Sequence, residues 1–372
     1  MFHYYQPTKL HFGAGILEEL GNACKQYGSK CLLVTTPDEP LQPLYKRVKG
    51  LLSDAGIDVI HFDQVAPNPT VEIVEQGREV LRQHTFDFVL ALGGGSSIDT
   101  AKAIAFTNGI ETLNWDDLFA FDSPFGSYPS YSDKHLPLLS IPTTSGTGSQ
   151  VTQAAVITKG KEKLTFFHSD NFSKECFIDP ELMTTLPRRM SAATGFDAFT
   201  HAFESYINAR ASHYSEMDSL EAMKLVIDTL PNVLEDLGNV EYRTTMCLAD
   251  TLAGRALANS GASAPHPLSE IIGGICHITH GEALAVVFPP FIKQMDTKYH
   301  DKFQKVAQLF GKEDLYEAMV SFLKTIGLYK TLVDCGVDEE SFQEILACPV
   351  LDHLPFGTRE ELEAILKEAY GK

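Results

Sequence analysis

Apolar residues follow two different rhythms along this chain. In the first half, short apolar runs predict strands at KCLLVTT (30–36), IDVIHFD (57–63), FDFVLALGGG (86–95) and LPLLSIPTT (136–144). Between them, LYKRVKGLLSDAG and VEIVEQGREVLRQH carry apolar residues at helical spacing. Strands that alternate with helices predict a parallel sheet covered by helices on both faces. After LPRRMS (186–191) the strand pattern stops. AATGFDAFTHAFESYI, SEMDSLEAMKLVIDTLPNVLEDL, YRTTMCLADTLAGRALANS and TREELEAILKEAYG are all helical in spacing, and the last opens on a capping box, Thr358 with Glu361. The pattern predicts an α/β domain over 1–187 and an all-α domain over 188–372. A cleft between two such domains is a favoured place for a ligand.

Composition narrows the function classes. A chain of 372 residues is long enough for two packed cores, and its 44% hydrophobic and 21% charged content is that of a globular protein. A formal net charge of −19 argues against nucleic acid and anionic membranes, which require basic patches. The sequence holds no apolar run long enough to span a bilayer, and MFHYYQPTKLHFG lacks the basic and apolar regions of a signal peptide. The cysteines at 24, 31, 176, 247, 276, 335 and 348 are odd in number and form no CxxC. Reduced thiols in a cytoplasmic protein are the expectation.

Two polar stretches at strand ends suit a dinucleotide. Gly93, Gly94 and Gly95 stand between a buried strand and a helix, where bare backbone admits a ligand. Ser96 and Asp99 have capping-box spacing and mark the helix start, whose free N–H groups and positive dipole end favour a diphosphate. Ile98 stands where a third glycine would complete the G-x-G-x-x-G fingerprint, so the turn departs from it. After the strand LPLLSI, PTTSGTGSQVTQAAVIT offers hydroxyls and bare backbone for a ribose and an amide. A tight turn and a surface loop are the plainer readings of these two stretches.

A metal constellation follows in the second half. Asp197 and His201, four apart, share one helix face. HPLSEIIGGICHITHG (266–281) supplies His266, Glu270, His277 and His280 beside the apolar ALAVVFPPF. Histidines in so apolar a setting are costly without a partner, and an ion is one good partner. A carboxylate with imidazoles suits a borderline divalent ion such as Fe²⁺ or Zn²⁺. Hydrogen-bonded core histidines remain the alternative. His168 and His213 lack such neighbours and read as structural or surface residues.

TKLHFGAGILEELG, LALGGGSSIDTAKAIA, PTTSGTGSQVTQAAVIT, FIDPELMTTLP, AATGFDAFTHAFESY and ICHITHGEALAVVFP together resemble the iron-containing (group III) alcohol dehydrogenases, almost end to end and in family order. The resemblance implies a Rossmann-like dinucleotide domain followed by an all-α metal-binding domain, an architecture of the dehydroquinate synthase type. It implies Asp197, His201, His266 and His280 as metal ligands, and His277 as a non-ligating proton relay. Gly94, Gly95, Ser96 and Asp99 match the family's diphosphate segment, Thr143, Thr144 and Ser149 its second cofactor stretch, and Lys163 a lysine near the ribose.

Three positions depart from the pattern. Glu270 replaces a histidine common in the family, and a supporting role behind the ion is preferred to that of extra ligand, base or helix cap. Gln150 replaces the glutamate usual in GTGSE. Thr36 stands where NAD-preferring members carry an aspartate, with Asp38 close by, which leaves NAD against NADP open.

The implied reaction is reversible hydride transfer between NAD(P) and a primary alcohol or aldehyde, with Fe²⁺, Zn²⁺ or another divalent ion activating the oxygen. The partners implied are a small-molecule substrate and further copies of the chain, as a homodimer or larger assembly, with FHYYQPTKLHFG available for pairing across an interface. A metal-free oxo-acid reductase of the maleylacetate type, a lyase of the dehydroquinate synthase type and a non-catalytic nucleotide-binding protein are the rivals. Arg255 reads either as a plain surface arginine or as a contact for an anionic substrate.

Overall fold

The computed structural model describes residues 2–160 and 162–371. The chain divides into two compact units, one of Tyr5–Thr144 with Gly148–Thr184, the other of Met1–Tyr4, Ser145–Thr147 and Thr185–Lys372.

The first unit is built on a six-stranded sheet. Its strands are β1 (Lys9–Phe12), β2 (Lys30–Val34), β3 (Asp58–Phe62), β4 (Phe88–Gly93), β5 (Leu138–Pro142) and β8 (Glu175–Ile178), and β6 (Ala154–Lys159) and β7 (Glu162–Phe167) form a separate antiparallel hairpin. The sheet order is β1-β8-β5-β4-β2-β3, and every pairing is parallel. Helices α1 (Leu20–Cys24), α2 (Gln42–Asp54), α3 (Val71–Gln83), α4 (Gly95–Thr107) and α5 (Trp115–Phe119) complete the unit.

Strand periodicity explains its two cores. On β2, Leu32 and Val34 join Val74 of α3 and Ile98 and Ile104 of α4, whereas Cys31 and Leu33 join Tyr45, Val48 and Leu52 of α2. A strand buried on both faces needs an unbroken apolar run, and FVLALG of β4 is buried at every position. β1, β8 and the β6–β7 hairpin lie outside the four strands that the apolar runs predict. Of FHYYQPTKLHFG, only Lys9–Phe12 forms a strand, at the sheet edge beside β8.

The second unit is helical, with α6 (Arg188–Ile207), α7 (His213–Glu235), α8 (Val240–Ser260), α9 (Pro265–Cys276), α10 (His280–Leu309), α11 (Leu315–Ile326), α12 (Glu339–Leu346) and α13 (Arg359–Tyr370). The Thr358–Glu361 capping box forms as the sequence predicts. From Gly195 to Ile207, α6 is buried on all sides, because it threads the core rather than lying on its surface. Phe199 and Phe203 pack on Phe288 of α10 with ring centroids 6.1 and 5.0 Å apart, which fixes the two helices together. They also meet at Gly281, where a Cβ would lie 2.4 Å from the Ala193 carbonyl oxygen, so only glycine fits. No helix among the described residues is long and apolar enough to cross a membrane.

Candidate functional site

In the α/β unit, the β4–α4 turn differs from the sequence expectation. Helix α4 starts at Gly95 with Gly94 as its N-cap and no side-chain cap, so Ser96 and Asp99 do not form a capping box. Gly93 has φ +149°, where a Cβ would lie 2.4 Å from Ser97 Oγ, and the helix N-cap falls two residues before Ser96. The first-turn N–H groups thus have no side chain folded over them, as a diphosphate site requires.

Asp99 is spent elsewhere. Its Oδ1 accepts from Ser149 Oγ at 2.6 Å and its Oδ2 from the Val156 N–H at 3.1 Å. Lys102, one turn on and fully buried, donates to Ser149 Oγ (2.9 Å), Thr152 Oγ1 (3.2 Å) and the Ala154 carbonyl (2.6 Å). Burial lowers the Lys102 pKa to about 8, against the pull of Asp99. The Thr143 N–H donates to the Gly93 carbonyl at 3.0 Å, and Thr144 lies alongside Gly94. The glycine turn and the threonine-rich stretch are therefore tied together. Lys163 stands on β7 opposite Thr158. Beyond β2, Thr36 Oγ1 donates to Asp38 Oδ2 at 2.7 Å and lies 3.0 Å from Tyr45 OH, so the exposed Asp38 carboxylate is held in place.

The helical unit brings Asp197, His201 and His266 together as a buried cluster. His280 joins them at the first position of α10, with Nε2 3.6 Å from Asp197 Oδ1. His266 Nε2 lies 3.5 Å from the same oxygen. Ligand atoms of a tetrahedral ion with bonds near 2.1 Å stand about 3.4 Å apart, which these two distances approach. His201 Nδ1 lies 3.7 Å from Asp197 Oδ1 and 3.0 Å from the Gly146 carbonyl. With Nδ1 donating to that carbonyl, Nε2 keeps its lone pair for an ion. Asp197 Oδ1 and His266 Nε2 are buried with no hydrogen-bond partner, and a divalent cation would satisfy both.

The electrostatics agree with that chemistry. Burial alone would raise the Asp197 pKa, but His201, His266 and His280 outweigh it and hold the carboxylate ionised, at about 2. Burial lowers His201 to about 4, against the charge of Asp197, so its ring is neutral at pH 7. His266 moves the other way. Burial opposes its charge, yet Glu204 and Asp197 raise it to about 10, so the two carboxylates favour positive charge at this ring.

Glu204 is the residue that sequence reading missed. It lies on α6 at i+7 from Asp197, is fully buried, and receives His266 Nδ1 at 2.6 Å on Oε1 and the Ser263 N–H at 2.6 Å on Oε2. Its spacing from Asp197 and His201 was the available signal. Glu270 sits half-buried in the middle of α9, whose N-cap is Ala264, so it does not cap the helix. His277 is exposed and forms the left-handed C-cap of α9 with φ 56°. Arg255 is engaged by Asp218 (3.3 Å) and Tyr4 OH (3.2 Å).

Comparison with known proteins follows the same division. A family model described as "Iron-containing alcohol dehydrogenase" matches residues 7–180, and one described as "Fe-containing alcohol dehydrogenase family, C-terminal" matches residues 191–370. The choline dehydrogenase of Bacillus subtilis is 32% identical over 97% of this chain and 92% of its own. The 1,3-propanediol dehydrogenase of Citrobacter freundii is 30% identical over 100% of this chain and 99% of its own. A solved iron-containing alcohol dehydrogenase from Thermotoga maritima matches with a TM-score of 0.88 at 31% identity, covering 100% of both chains.

Proposed function

The chain belongs to the iron-containing alcohol dehydrogenase family and is an NAD(P)-dependent alcohol oxidoreductase, and we propose that Asp197, His201, His266 and His280 hold its divalent ion, with Fe²⁺ as the native metal. The pair of orphaned buried atoms, Asp197 Oδ1 and His266 Nε2, carries this reading. When bound, the ion lowers the pKa of the alcohol and, in the reverse direction, polarises the aldehyde.

The backbone of Gly94, Gly95 and Ser96 receives the diphosphate, with Thr143 and Thr144 beside it. Asp99 and Ser149 act one layer back, since their side chains already bind each other. Lys163 is assigned to the ribose by family resemblance. NAD is preferred to NADP, because the tethered Asp38 charge disfavours a 2′-phosphate and suits a 2′-hydroxyl. His277 passes the proton to solvent from its exposed cap. Seven residues of helix rise about 10 Å, so its exchange with Glu270 runs through water. His277→Asn keeps a left-handed cap without the imidazole, and lower kcat at unchanged metal content is the expected result.

The substrate is a small neutral alcohol. The relatives are named for choline and for 1,3-propanediol, and the pairing of Arg255 with Asp218 removes the main argument for an anion. Free thiols at all seven cysteines support a cytoplasmic setting, and the family resemblance supports a homo-oligomer.

The test is to strip the protein with a chelator, reload it anaerobically with Fe²⁺ or Zn²⁺, and follow the nicotinamide absorbance with neutral and anionic aldehydes. Turnover should depend on metal and be highest with Fe²⁺. Full activity without metal would instead favour an oxo-acid reductase.

A further inference from the structure

Beside the candidate ligands stands one buried acid that is not among them. Glu204 is 0% exposed, and each of its oxygens receives one short hydrogen bond, from His266 Nδ1 and from the Ser263 N–H. Burying a carboxylate so deeply is costly unless a nearby positive charge offsets it. Asp197 and Glu204 place two carboxylates around the one His266 ring, 3.5 Å from Nε2 and 2.6 Å from Nδ1. A divalent ion balances them, two charges against two.

We propose that Glu204 is a positioning residue that sets how tightly the ion is held, by fixing the His266 ring with Nδ1 as donor and making Nε2 a stronger electron donor. The inference rests on the reading of this cluster as the metal centre. Helix α6 thereby supplies two ligands directly, Asp197 and His201, and controls a third, His266, from one stripe of side chains. Through Ser263, two residues ahead of Pro265, the same carboxylate also fixes where α9 begins. Partners that orient a ligating imidazole change metal affinity by roughly 10–100-fold when removed.

Glu204→Gln should weaken Fe²⁺ and Co²⁺ binding by about 10–100-fold in chelator competition. It should also shift the visible absorption bands of the Co²⁺-loaded protein while leaving NAD⁺ affinity of the metal-free protein unchanged. Glu204→Asp, which keeps the charge on a shorter arm, should fall between. Equal metal affinity and an unchanged Co²⁺ spectrum in Glu204→Gln would overturn the proposal. If that variant fails to fold, ¹⁵N-histidine spectra of the Zn²⁺-loaded wild type decide. A hydrogen-bonded Nδ1–H on His266 is required, and a bare Nδ1 overturns it. A wild-type protein that binds no divalent ion sinks the metal-centre reading itself, a result distinct from either outcome.

Discussion

Lys102 Nζ and Ser149 Oγ, 47 positions apart in the chain, meet at 2.9 Å inside the α/β unit, with Asp99 on the other side of the same hydroxyl. Lys102→Met would leave the Asp99 charge without its cation and the Ala154 carbonyl without its donor, at a cost of roughly 3–5 kcal/mol. Asp99→Asn should cost less, and the double variant should recover part of the sum, because the pair is lost as a unit. Urea unfolding of the four proteins measures the coupling. Additive losses would show that the two charges do not act together.

Metal retention should depend on His280 and on the glycine after it. His280→Ala should lose metal and turnover together, and full activity in a metal-stripped His280→Ala protein would sink its assignment as ligand. Gly281→Ala drives a methyl against the Ala193 carbonyl, so α10 must move away from α6. A stability loss of about 1–3 kcal/mol and weaker metal binding are expected, read by thermal unfolding and metal analysis. In wild type, chelation should lower the unfolding temperature, since ligand at a hundred times its Kd contributes about 2.7 kcal/mol.

Dinucleotide choice should respond to Asp38. Asp38→Ala removes the charge near the ribose and should raise kcat/KM for NADP⁺ by about tenfold, equivalent to ~1.4 kcal/mol, with little gain for NAD⁺. Steady-state kinetics with both cofactors measures the ratio. An unchanged ratio would place the 2′-position away from Asp38.

Acid should weaken the α/β unit through Glu175. Burial alone would raise its pKa, but hydrogen bonds with His11 (2.6 Å) and Tyr27 (3.0 Å) and the charge of Lys9 bring it below the ordinary 4.5. A carboxylate whose native pKa is depressed stabilises the fold above the unfolded value and loses that contribution as pH falls toward the native one. Glu175→Gln should therefore cost roughly 1–3 kcal/mol at neutral pH and flatten the decline in stability below pH 4.5. Parallel pH profiles for the two proteins would exclude Glu175 as the cause.

What the sequence concealed has a common physical origin. β2, β3, β4 and β5 are legible because a strand buried on both faces must be apolar throughout. β8, with the sequence ECFI, begins on the polar Glu175, and β6 follows a stretch of small polar residues that resembles a loop. Asp197, His201, His266 and His280 stand out because polar groups in apolar text need a reason. Lys102 and Glu204 do not, since a charge once per helical turn is what an exposed face shows, and only tertiary packing reveals that these two are buried. Ser96–Asp99 misled because correct cap spacing occurs two residues too late for a helix already capped by Gly94.

The fourteen residues from His266 to His280 would span about 21 Å along an unbroken helix, with both rings on one face but four turns apart. Instead α9 stops at His277, whose φ of 56° begins a three-residue reversal, and both imidazoles arrive within 3.6 Å of a single oxygen. The interval thus measures an arc, not a length of helix. Lengthening the reversal by one residue would leave α9 and α10 intact and still move one ligand out of reach of the other, so the tolerance of this segment is set by the radius of an ion.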